Sequence, residues 1–164
     1  DKVIERYEEW SAPVENKVPL SPVFYTSAYG NTAKIAEEIR EGILEAKPDA
    51  ECVTYDIIEH DMGELHALVN RCNAFAVGSP TLNRDAVQPV WNLLAGIDAI
   101  NSGKKPVLVF GSYGWTGEAV ANIQARLMGL KMSVFEDGFK VNFVPTVEDL
   151  EAARDMGRRF AQSF

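Results

Sequence analysis

From residue 22 onward the apolar residues fall into two rhythms: short unbroken or alternating runs, and longer segments where they recur every three or four positions. The first rhythm belongs to strands and the second to helices. Val23-Phe24-Tyr25 predicts a first strand over 23–26. Ala33-Lys34-Ile35-Ala36-Glu37-Glu38-Ile39 lies in a predicted helix of about 31–46, closed by Lys47-Pro48-Asp49. Residues 51–57 mostly alternate and predict a second strand, and 62–70 a short helix. Ala74-Phe75-Ala76-Val77 is continuously apolar, as in a central parallel strand. A loop, Gly78-Ser79-Pro80-Thr81-Leu82-Asn83, precedes a helix of about 86–100. Pro106-Val107-Leu108-Val109-Phe110 is another buried strand, opening into Gly111-Ser112-Tyr113-Gly114-Trp115-Thr116-Gly117 and a helix of about 118–128. A last strand falls within 132–143, broken near Asp137-Gly138, and Thr146 is placed to N-cap a closing helix that runs to about 161.

Strands alternating with helices predict an α/β fold: a doubly wound, five-stranded parallel sheet inside a three-layer αβα sandwich. Right-handed crossovers gather the C-terminal strand ends on one edge, where ligands bind in such sheets. Loops 27–32, 79–85 and 111–117 all fall on that edge, and they are the three most unusual in composition.

Ahead of the alternation, residues 2–10 read as a short helix carrying Val3, Ile4, Tyr7 and Trp10, and three prolines follow between residues 13 and 22. A helix and a Pro-rich tether predict that 1–21 connect the domain at 22–164 to something upstream. A start at Asp1 rather than Met suits a piece of a longer protein.

Length and composition change this picture little: 164 residues, 46% hydrophobic and 24% charged, suit one ordinary globular domain. The net charge of −8 argues against nucleic acid and fits docking to a partner of complementary charge. No run is long enough to cross a bilayer and no signal peptide opens the chain, so neither membrane nor export is expected. Cys52 and Cys72 read as reduced thiols of a cytoplasmic protein. His60 and His66 stand on different faces of a helix and make no metal pair.

The candidate chemistry lies in the three loops. Ser27-Ala28-Tyr29-Gly30-Asn31-Thr32 is a turn of small and hydroxyl-bearing residues before a helix, where free N–H groups and the helix dipole favour an anion. The plain reading of such a turn is an N-cap; the functional one is a receptacle for a phosphomonoester held by neutral donors. It has neither GxGxxG nor GxxxxGK[ST], so dinucleotide and nucleoside triphosphate loops are not indicated. Leu82 and Trp115 are large apolar groups on exposed loops, and a flat aromatic ring between them would cover both. A phosphate joined to a planar ring is the anatomy of flavin mononucleotide (FMN). Trp91 reads as packing.

With these motifs in place, the chain resembles the flavodoxin family, whose phosphate loop T/S-x-T-G-x-T is matched by Ser27 to Thr32. The second and third motifs look more specifically like the flavodoxin-like domain of flavodiiron proteins. The resemblance implies FMN as cofactor, with Ser27, Ala28, Tyr29, Gly30, Asn31 and Thr32 around its phosphate. Ser79, Pro80, Thr81, Leu82 and Asn83 would line one side of the ring. Ser112, Tyr113, Gly114, Trp115 and Gly117 would line the other, with Trp115 stacked. Tyr29 departs from the small hydroxyl residue of ordinary flavodoxins, and Asn83-Arg84-Asp85 lacks the glycine on which a peptide flip in some flavodoxins depends. The family's metal domain needs clustered His, Glu and Asp, which two scattered histidines cannot supply. The resemblance implies electron transfer from a donor, a rubredoxin-type protein or an NADH-linked reductase, to a diiron domain of the same or a neighbouring chain. It also implies a head-to-tail homodimer in the full-length protein. No residue is expected to act as a covalent catalyst. A free-standing flavodoxin carrier and a flavodoxin-like NAD(P)H:quinone oxidoreductase remain as alternatives, and a non-catalytic interaction module would leave Leu82 and Trp115 unexplained.

Overall fold

The computed structural model describes residues 18–164. The strands are β1 (Val23–Tyr25), β2 (Thr54–Asp56), β3 (Phe75–Pro80), β4 (Pro106–Tyr113), β5 (Ser133–Val134) and β6 (Phe139–Asn142). The α-helices are α1 (Asn31–Ala46), α2 (Met62–Arg71), α3 (Gln88–Ala95), α4 (Glu118–Gly129) and α5 (Val147–Phe160). The strands form a parallel sheet in the order β2-β1-β3-β4-β5, with β6 also paired to β4. β5 and β6 are the two halves of the broken last strand and together occupy the fifth position. The doubly wound sandwich is therefore present. Its order is the flavodoxin-like one, which obeys the general rule that ligands bind at the topological switch point, here between β1 and β3.

Alternation on the strands explains the layers. Val107 and Val109 of β4 pack with Phe24, Phe75 and Val77 under α2, α3 and α4. Leu108 and Phe110 face the opposite way, with Val23 and Ala76, under α1 and α5. Each helix meets its layer through the apolar stripe seen in the sequence, as Ile35, Ile39 and Ile43 do for α1. Thr146 caps α5 as expected: its hydroxyl accepts the Asp149 N–H, and the Asp149 carboxylate accepts the Thr146 N–H in return.

Four boundaries differ from the sequence reading. β3 and β4 run three residues beyond their apolar cores, because Gly78, Ser79 and Pro80 stay in register with Phe110, Gly111 and Ser112. The helix expected over about 86–100 is confined to Gln88–Ala95 and gives way at Gly96 to turns organised by the Asp98 carboxylate. β2 shrinks to three residues and is followed by a 3₁₀ turn, Ile57–Glu59, capped by Asp56. At the sheet edge, Ser21 N–H donates to the Glu51 carbonyl and Glu51 N–H to that of Pro19, so buried Leu20 belongs to the body of the fold. The helix expected over 2–10 lies outside the described residues.

Candidate functional site

All three loops converge at the C-terminal edge of the sheet around a cleft of about 600 Å³, a volume that suits a ligand of cofactor size. The first loop contributes Ala28, Tyr29 and Asn31 to its lining. Gly30 stands at φ +80°, a conformation glycine takes without steric cost, and it begins α1 with no side-chain cap. The Ser27 hydroxyl approaches the Ala33 N–H at 3.4 Å. Among the described residues the N–H groups of Asn31 and Thr32 meet no acceptor, so the helix end keeps donors for an anion. Thr32 is buried, and its hydroxyl lies 2.8 Å from that of Ser112 on β4. One hydroxyl of that pair donates to the other, and the acceptor keeps its own proton to offer elsewhere. The Thr26 hydroxyl, immediately before the loop, is buried with no partner among the described residues. Unbonded N–H groups and buried hydroxyls thus meet at the start of α1.

Pro80, Thr81, Leu82 and Asn83 supply one wall, and Ser112, Tyr113, Gly114 and Trp115 the other. Trp115 is 97% exposed and Leu82 53%. Tyr29, at 90%, stands free at the rim. Covering one indole face, about 100 Å², contributes ~2–3 kcal/mol to a ring that stacks there.

Some site residues serve the walls from behind. The buried Ser79 hydroxyl donates to the Pro80 carbonyl and accepts the Val87 N–H, so it fixes the start of the second loop. Thr81 Oγ1 accepts the Ala119 N–H in the first turn of α4, tying the second loop to the helix that follows the third. Gly117 stands behind the cleft, where an added Cβ would meet the Tyr113 ring at 3.1 Å. Glu118 begins α4, and its carboxyl is held below the usual range, first by the Thr116 hydroxyl and less by Arg84 and Lys140.

Three lining residues were absent from the sequence-derived set: Arg84, Thr116 and Phe143. Phe143 follows β6 at φ +60°, 63% exposed, and its N–H donates to the Tyr113 carbonyl at 2.7 Å. No sequence signal marks it, because it is the break in the last strand that brings it to the cleft. Trp91 packs against the core as expected, but its indole N–H also donates to Asp85 at 3.2 Å. His66 faces the Asn92 carbonyl and His60 the Tyr55 ring. No cluster of metal-ligating side chains occurs among the described residues.

Fold and cleft thus define a doubly wound α/β protein with a cofactor-sized cleft at the C-terminal edge of its sheet. The flavodoxin family's sequence pattern matches residues 23–157. A flavo-diiron protein, FprA2, of Clostridium acetobutylicum is 43% identical over 159 residues, covering 97% of this chain and 40% of the relative. The flavodiiron protein of Giardia intestinalis superposes with a TM-score of 0.86 at 26% identity, over 99% of this chain and 40% of that one. An archaeal flavodoxin superposes at 0.73 with 29% identity, over 87% of this chain and 96% of that one. The chain belongs to the flavodoxin family, as the flavodoxin-like domain of the flavodiiron type, and its cofactor is FMN. It spans about two fifths of the length of the flavodiiron relative it matches.

Proposed function

We propose that the chain carries electrons for a flavodiiron oxygen or nitric oxide reductase, taking them from a rubredoxin-type protein or an NADH-linked reductase. They would pass to a diiron domain of the same or a neighbouring chain. The observation that carries this reading is Trp115 and Leu82 flanking a cleft with an uncapped helix N-terminus in its lining. Residues 1–21 are then the connection to that domain, and a head-to-tail homodimer is how a flavin of one subunit reaches the metal of another. The proposed compartment is the cytoplasm, where the free thiols Cys52 and Cys72 stay reduced. Among the described residues no helix is long and apolar enough to cross a membrane.

Bound FMN supplies one- and two-electron redox chemistry. The residues of this chain bind and orient it. The free N–H groups at the start of α1 and the Thr32–Ser112 hydroxyl pair would hold the phosphate, while Leu82 and Trp115 would pack on the ring and exclude water from it. A free-standing carrier is the second reading, favoured by the near-complete coverage of an archaeal flavodoxin. Reduced chain mixed with an isolated diiron domain separates the two, since only the first reading requires rapid reoxidation.

The site itself is tested by absorption spectroscopy of the purified protein with and without added FMN, followed by dithionite. Two flavin bands that vanish on reduction are expected, with FMN affinity about 30-fold or more weaker in Trp115→Ala. A colourless protein that leaves added FMN unchanged would sink the flavin reading.

A further inference from the structure

The wall that carries Leu82 is a two-residue hairpin turn of a common kind with an uncommon residue in it. Leu82 N–H donates to the Asp85 carbonyl at 2.9 Å and Asp85 N–H to the Leu82 carbonyl at 3.1 Å. The residues between them, Asn83 and Arg84, both take left-handed backbone, at φ +52° and +62°. That is the type I′ arrangement, which favours Asn at the first place and glycine at the second. Asn83 obeys the preference and Arg84 opposes it. Both line the cleft, so the strained residue, Arg84, lies in its wall.

Something outside the turn must hold it, and Asp85 makes the required contacts. Its Oδ1 accepts the Ala86 N–H at 2.8 Å and the Asn122 amide at 3.0 Å. Its Oδ2 accepts the Trp91 indole N–H at 3.2 Å. Asn122 also donates to the Arg84 carbonyl at 3.3 Å. The turn is thereby anchored to α3 through Trp91 and to α4 through Asn122. None of Asp85, Trp91 and Asn122 lines the cleft.

We propose that Asp85 is a positioning residue that, through Trp91 and Asn122, clamps the Leu82–Asp85 turn in its left-handed form and so preorganises one wall of the FMN site. The proposal rests on the FMN reading of the cleft. A wall already in place before the ligand arrives spares binding the cost of ordering it. Arg84 can then remain where glycine would be the local choice, and its cationic side chain stays at the ring.

Two readouts test this on the full chain. In the absence of FMN, amide hydrogen exchange at Leu82 and Asp85 should quicken about ten-fold in Asp85→Ala, because the turn opens more often. FMN affinity should fall by about ten-fold in Asp85→Ala and by a few-fold in Trp91→Phe, which removes the donor but keeps a ring. Adding Arg84→Gly to Asp85→Ala should recover most of the slow exchange, because the local sequence then prefers the turn unaided. It should also recover most of the affinity lost relative to Arg84→Gly alone. A purely structural defect would not be rescued this way. Should Asp85→Ala fail to fold, Trp91→Phe and Asn122→Ala answer the same question. Wild-type protein that binds FMN, with exchange and affinity unchanged in these variants, overturns the clamp and leaves the flavin reading standing. A loss in Asp85→Ala that Arg84→Gly does not recover also overturns it. Wild-type protein unable to bind FMN overturns the flavin reading and the wall's role together.

Discussion

At the scale of single residues, burial has given two side chains chemistry they do not show in solution. Cys52 and Cys72 are both buried, and burial pushes their thiols up to about 12 and about 11 against the pull of Arg40 and Lys105 respectively. Neither should react with iodoacetamide at pH 8 in folded protein, and both should react once urea is added, as mass spectrometry would show. The sign of the pH effect follows. Below about pH 9 thiols are protonated in folded and unfolded chains alike; above it the unfolded chain releases protons that the folded one retains. Stability is therefore lost progressively as pH rises from about 9 towards 12, and the urea midpoint should drop between pH 8 and 10.5. Tyr25, raised by burial and by Asp56, Glu37 and Glu59, acts in the same direction. A midpoint independent of pH over that interval would refute the assignment.

At the scale of elements, the tightest meeting is between α1 and α5. A Cβ on Gly157 would lie 2.3 Å from the Ile39 carbonyl oxygen, and one on Gly42 only 2.0 Å from that of Arg154. Both obstacles are backbone, so the helices must separate before either methyl fits. Alanine is the better helix former by ~1 kcal/mol, yet overpacking of this kind costs ~1–3 kcal/mol or more. Gly157→Ala should lower stability by about 2 kcal/mol in urea unfolding, and a neutral variant would show that the helices can slide apart freely. The ion pairs across the same seam, Arg154 with Glu38 and Glu45 and Arg158 with Glu45, are solvent-screened and add little. Gly157 gives no sign of this in the sequence, where it looks like a weak point in a helix. The extension of β3 and β4 is hidden for a related reason. Gly78, Ser79, Gly111 and Ser112 carry no apolar pattern, and their pairing is backbone to backbone between strands thirty residues apart. Strand cores and helix faces are legible because their periodicity is itself the burial pattern.

The whole molecule shows the same division between what the chain's pattern declares and what only packing decides. Trp115 and Leu82 stood out in the sequence because a large apolar group among small polar ones has no packing role to fill. Phe143 did not, since it reaches the cleft only because the fifth strand breaks and resumes beside Tyr113. Hydroxyls at Ser79 and Thr81 were legible by type, but their partners, Val87 and Ala119, are set by the tertiary fold.

The phosphate receptacle proposed at the start of α1 consists of N–H groups and hydroxyls, and the cation in the cleft lining, Arg84, comes from the second loop. Short-range donors of that kind are nearly indifferent to dissolved salt. The chain's net charge of −8, by contrast, repels a phosphate-bearing ligand over a Debye length that shrinks from about 30 Å at 0.01 M to about 8 Å at 0.15 M ionic strength. Raising salt across that range should leave FMN dissociation unchanged and quicken its association, as stopped-flow fluorescence quenching would reveal. Loading of the apoprotein with its cofactor should therefore be quicker in physiological saline than in dilute buffer.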